Sequence, residues 1–415
     1  MRAVWYSDGM ALAGYLVLAL AQEPPSFDPD ARLVAAYYRF LPDAPPDPAA
    51  LKAELAEMGR TGVDVVVPVG ATEAGLAALA AALDGLGAES KERPRAAAFL
   101  DAPGGTVRAV AERHRARIDG RPLAWLGPLP AGTRPSSPLE ALSGALGAAP
   151  FLVAEVSWAG VPADRVYAWG AQEGTPRELS VVSVGPGKVR EEGRFYERSW
   201  AAAARMEARM VALESWNGWP EGSGVAESAG HGRAYLDATA RYARKFRAGE
   251  KIVLPRGKWT GAAKALYTTK YNPREQGLRP VEHPEGLHEA VQLRGIAVLT
   301  TKENRVGDRR CLSFDVDDSF WFFEKRSFEL EVEFLDVGEG AFRVEYDSAD
   351  RSLPPERRPF RSAGEGGFGA TAEWRTERFA LPDALFGNRQ PGGADLRLVL
   401  EKRGITVRRV AVLPR

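Results

Sequence analysis

Nine consecutive residues carry the densest chemistry in the chain: Glu214-Ser215-Trp216-Asn217-Gly218-Trp219-Pro220-Glu221-Gly222. Two carboxylates, an amide and two indoles fall within one loop, straight after the apolar run at 209–213. Indole faces stack on the apolar faces of pyranose rings, while amides and carboxylates bond hydroxyls. A carboxylic acid can also protonate a glycosidic oxygen.

Similar residues close other apolar runs. Tyr37 and Tyr38 lie in LVAAYYRF, Asp101 in RAAAFLDA, Trp125 in PLAWLGPL, Glu155 and Trp158 in PFLVAEVSW, and Trp169 in VYAWGA. Aromatics beside carboxylates at these run ends suit a saccharide site, with Glu221, Glu214 and Glu155 among its carboxylates. Tyr37, Tyr38, Asp101, Trp158, Trp169, Trp216, Asn217 and Trp219 would contact a saccharide. Trp158 and Trp169 fit a core-filling role equally well, because Trp is mostly buried.

The elements that must position these residues are legible as a series. Eight short apolar runs between 33 and 216 alternate with helical patterns, as in "DPAALKAELAEMGRTG", with Asp47 as N-cap and Gly62 at the end. Runs apolar on both faces are what a parallel sheet requires. The expected fold class is α/β, a (β/α)8 TIM barrel over 30–247. A doubly wound sheet is the competing layout, but no glycine-rich dinucleotide fingerprint follows the first run. A helix is also expected over "TVRAVAERHRARI". Residues 248–286 read as a linker. From 287 to 415 period-two alternation takes over, as in Phe328, Leu330, Val332 and Phe334. That predicts a jelly-roll or β-sandwich domain.

Composition narrows the function. Across 415 residues, 55 basic and 55 acidic side chains give a net charge of zero, against a nucleic-acid partner. Cys311 is the one cysteine and the 4 His are scattered, so no disulfide, metal site or cofactor is expected. "FDVDDSF" lacks the glycine and distal glutamate of a calcium loop and reads as a solvated strand end. Residues 1–21 carry Arg2, an apolar core and Ala19-Leu20-Ala21, matching a signal peptide. The expected location is secreted or periplasmic, without stable membrane insertion of the mature chain.

The segment "ESWNGWPEGSGVAESAGHGRAYLDATARYARKF" resembles the terminal barrel segment of proteins similar to glycoside hydrolase family 99, whose pattern is roughly S/T-W-N-E-W-x-E-G followed by Y-L-D and a helix. "LVAAYYRF", "RIDGRPLAWL" and "VVSVGPGKVR" resemble further segments of those barrels. "FDVDDSF" and "VEYDSAD" resemble β-sandwich modules of secreted polysaccharide-active proteins. The resemblance implies two cooperating glutamates, the second acting as general acid/base and the first assisting attack by the sugar's own 2-hydroxyl. The second corresponds to Glu221. The first falls on Gly218, which has no carboxylate. The expected function is an exported glycoside hydrolase cleaving O-glycosidic bonds, with the missing carboxylate supplied by Glu214, Glu155 or Asp101. The alternative is a non-catalytic glycan-binding protein on a degenerate barrel.

Overall fold

A computed structural model describes residues 26–41, 46–87, 93–171, 177–187, 190–206, 208–218, 222–269, 274–303, 309–401 and 403–415. The expected signal peptide lies outside them, as do Trp219 and Glu221.

The first unit contains β1 (Leu33–Arg39), α1 (Pro48–Thr61), β2 (Val65–Val69), α2 (Glu73–Gly85), β3 (Arg95–Ala96), β4 (Ala98–Leu100), β5 (Arg117–Ile118) and β6 (Arg121–Leu126). Then come α3 (Leu139–Leu146), β7 (Phe151–Glu155), β8 (Arg165–Tyr167), β9 (Val181–Val184), α4 (Arg194–Arg205), β10 (Met210–Leu213) and α5 (Ala234–Ala248). All eight expected runs contain a strand. They form two parallel sheets, β3-β2-β1-β10-β9 and β4-β6-β7-β8, with β5 antiparallel to β6.

The sheets share one apolar interior. Side chains on a strand alternate between faces, and Leu33, Ala35 and Tyr37 of β1 meet inward residues such as Val67, Phe99, Trp125, Val153, Tyr167 and Ala212. Residues 95–100 pass from one sheet to the other across Ala97, whose N–H donates to Val66 O at 2.9 Å. On the far side, Ser180 Oγ accepts from Val166 N at 2.6 Å and Ser183 Oγ donates to Ala168 O at 2.8 Å, joining β8 to β9. The opposite face of β1, with Val34, Ala36 and Tyr38, packs against helices through Leu55, Leu79, Trp200 and Phe246.

Helix signals are mostly honoured. Asp47 Oδ2 accepts from Ala50 N at 3.1 Å and caps α1, which ends at Gly62 with φ +90°. Thr72 Oγ1 accepts from Gly75 N at 3.2 Å and caps α2. The helix expected over 106–118 does not form. Phe99 and Arg108 exchange backbone bonds of 2.8 and 2.9 Å, and Ala116 N donates to Ala96 O at 2.8 Å. That backbone is already committed to the edge of β3 and β4, and only a 3-10 turn at Glu112–His114 remains.

The second unit is two antiparallel sheets enclosing Phe314, Phe328, Leu330, Val332, Phe334 and Leu398, all fully buried. The expected linker is partly wrong. Ala265–Thr268 pairs with Thr406–Pro414, and Leu278–Val281 pairs with Arg309–Val316, so the sheets begin at Ala265. At four residues each, Ala265–Thr268 and Leu278–Val281 are too short for a period to be read. Asp315 and Asp318 are not solvated, since they bond Arg279 at 2.7 Å and Arg198 at 3.1 Å.

The segment "SFWFF" lies between strands, and its rings divide between two cores. Phe320 joins the sandwich core, while Phe322 and Phe323 join the helix-side core of the first unit with Leu385. Ion pairs Arg198–Asp318 at 3.1 Å and Arg358–Glu178 at 2.6 Å span the same junction. Among the described residues no helix is long and apolar enough to cross a membrane.

Candidate functional site

The carboxyl-terminal ends of the strands gather aromatic rings around Tyr37, which is fully buried. Its ring centroid lies 5.8 Å from Trp125, 6.1 Å from Tyr167 and 4.6 Å from Trp169. Trp125 Nε1 donates to Tyr37 Oη at 3.2 Å, and Tyr167 Oη donates to Leu126 O at 2.9 Å. Burial holds the Tyr37 phenol well above its ordinary value, with Tyr167 and Glu214 adding to the rise.

Two carboxylates stand beside this cluster. Glu214 directly follows β10 and is 2% exposed. It accepts from Gly170 N at 3.0 Å and from Ala171 N at 2.9 Å. Burial pushes its carboxyl up to about 7, against the pull of those two donors. Glu155 ends β7 and accepts from Ser157 N at 2.7 Å and Trp169 N at 3.3 Å. The two acids therefore hold successive amides of one stretch, 169–171. Trp169 is half-buried there, packed on Tyr37, with the Arg39 guanidinium 5.8 Å from its ring. Asp101 closes the next inward position and pairs with Arg108 at 2.7 Å.

Other expected residues lie elsewhere. Tyr38 alternates to the helix side, and Trp216 is also in that core, with Glu54 against both. Burial raises the Glu54 carboxyl. Trp158 fills the core beneath α3 and donates from Nε1 to Gly127 O at 2.7 Å. These three do not form a saccharide platform, because their ring faces are covered by protein. Asn217 spends its amide on β1, accepting from Arg39 N at 2.8 Å and donating to Arg39 O at 2.9 Å. It ties the loop after β10 to the first strand instead of presenting itself to a hydroxyl.

Tyr167 and Arg39 were missed. Both follow from the inward register, since Tyr167 shares it with Trp169 and Arg39 shares it with Tyr37. Among the described residues no group of three or more His, Cys, Asp or Glu could hold a metal ion.

No family model matches the chain, and no curated protein matches it. Among solved structures, the chain is similar to the GH99 endo-α-mannosidase from Bacteroides thetaiotaomicron, at 15% identity over 52% of this chain and 98% of that chain, with a TM-score of 0.36. The chain is also similar to the CBM22-1 xylan-binding domain from Paenibacillus barcinonensis Xyn10C, at 10% identity over 36% of this chain and 93% of that one, with a TM-score of 0.23.

Proposed function

We propose that the chain is an exported glycan-binding protein whose two parallel sheets form a (β/α)8 barrel. The mouth of that barrel, at Trp169, holds a saccharide without cleaving it. The carrying observation is the use made of the acids. Paired-carboxylate hydrolysis needs two carboxyl groups presented to one sugar, about 5–10 Å apart. Glu155 and Glu214 instead accept backbone N–H bonds from 157 and 169–171, and Asp101 is paired with Arg108. Gly218 supplies nothing. The two glutamates are positioning residues, and the ring they hold in place is the binding group.

Hydrolysis remains the second reading, favoured by the Glu214 carboxyl at about 7, the value a general acid needs near neutrality. It requires that carboxyl to leave Gly170 and Ala171 and meet substrate alongside Glu221. Trp169→Ala and Trp169→Phe, screened on a glycan array and titrated on the hits, test the main reading. Loss of stacking in Trp169→Ala should weaken binding about tenfold, ~1.4 kcal/mol, with Trp169→Phe keeping most of it. Unchanged affinity in Trp169→Ala would remove the mouth as the site.

A further inference from the structure

Between the two units runs a cleft of about 1270 Å³, above the ~300–1,000 Å³ of small-molecule pockets. It shares no lining residue with the strand-end site. Its walls are the start of α4, segment 254–259, and segments 315–319 and 388–393 of the sandwich.

Most of its acids are already neutralised. Asp315 is bonded to Arg279 at 2.7 Å, Asp318 to Arg198 at 3.1 Å, Glu191 to Arg198 at 2.7 Å, and Glu178 to Arg358 at 2.6 Å. Asp317 accepts from Ser319 N at 2.9 Å. Four exposed lining cations, Arg177, Arg194, Arg256 and Lys258, make no ion pair among the described residues, against Glu356 and Asp317 on the acidic side. The uncompensated charge is positive. Lys258 is also held in place: its Nζ lies 4.6 Å from the Trp259 ring centroid. That ring is seated so closely on Gly277 that a Cβ there would come 3.2 Å from Trp259 Cγ.

Polar acceptors complete the lining. Gln390 is 4% exposed, and its Nε2 donates to Pro359 O, which fixes the amide and leaves Oε1 without a partner in the protein. Ser199, 2% exposed, likewise keeps an unpartnered Oγ. Leaving such groups unbonded costs about 1–3 kcal/mol each, so a ligand rich in hydroxyls is favoured over an apolar one.

We propose that this cleft binds an acidic oligosaccharide, with its carboxylate or sulfate groups on Arg194, Arg256 and Lys258 and its hydroxyls on Gln390 and Ser199. Long reach, negative charge and many hydroxyls together describe that ligand class. The site is separate from the Trp169 mouth and does not depend on it.

Calorimetric titration of the full chain with tetragalacturonate, a heparin tetrasaccharide and neutral maltotetraose tests this. An acidic probe should bind at least about tenfold tighter than maltotetraose and weaken as salt rises. The tighter acidic probe distinguishes carboxylate from sulfate recognition. Arg194→Ala/Arg256→Ala/Lys258→Ala should lose about tenfold or more, and Trp169→Ala should lose nothing. Should the triple variant fail to fold, Lys258→Glu alone should weaken the acidic probe and leave maltotetraose unaffected. Equal binding of the neutral probe, or undiminished binding by the folded triple variant or Lys258→Glu, would overturn the cleft. So would tighter capture of a DNA oligonucleotide. Acidic binding that depends on Trp169 instead would sink the cleft while leaving the mouth site standing.

Discussion

Glu214→Gln tests the burial of this carboxyl through the pH dependence of stability. The Glu214 carboxyl stands at about 7 in the folded chain, against an ordinary 4.5, chiefly because burial disfavours its charge. Each tenfold displacement of a protonation equilibrium is worth ~1.4 kcal/mol, so the displacement amounts to about 3 kcal/mol. Because the folded value is raised, this contribution is fully present below about 4.5 and is lost as pH climbs through about 7. Glutamine is neutral throughout and keeps a carbonyl oxygen for Gly170 N and Ala171 N, which the native side chain bonds at 3.0 and 2.9 Å. Urea unfolding of wild type and Glu214→Gln, followed by tryptophan fluorescence from pH 4.5 to pH 8.5, reads the difference directly. The variant should gain about 3 kcal/mol on wild type across that range and should still bind glycan. A stability difference that stays level with pH would refute the burial argument for this carboxyl.

Other outcomes follow from the same contacts. Asn217→Ala removes two bonds to the Arg39 backbone and should cost about 1–3 kcal/mol in thermal unfolding. Phe322→Ala empties a buried position at the junction of the units. It should cost about 3 kcal/mol and open residues 249–264 to limited proteolysis. Asp47→Ala removes the α1 cap and should cost about 1 kcal/mol in the unfolding midpoint, without touching glycan affinity.

Much of the first unit was legible because parallel strands are buried on both faces, leaving runs such as VVVPV and MVAL with nothing polar to confuse them. The α1 cap announced itself through Asp47. The site was harder. Tyr37 and Tyr38 are adjacent in sequence yet face opposite cores, and composition cannot say which one points inward. The backbone bonds that absorb Asn217, Glu155 and Glu214 join strand ends far apart in sequence, which local patterns do not report. The helix expected over 106–118 failed for the same reason, as a tertiary partner claimed its backbone. In the second unit, the strand at Leu278–Val281 buries only Leu278 and leaves Arg279, Pro280 and Val281 partly or fully exposed, and so hid its period.

The central claim is that the strand-end site holds a saccharide without breaking it. The most direct measurement is prolonged incubation of the full chain with its tightest array ligand at pH 5 to 8, followed by mass spectrometry of the recovered saccharide. Intact ligand at every pH, with binding dependent on Trp169, is the predicted result. Accumulating fragments that disappear in Glu214→Gln or Glu221→Gln would contradict it and establish a hydrolase.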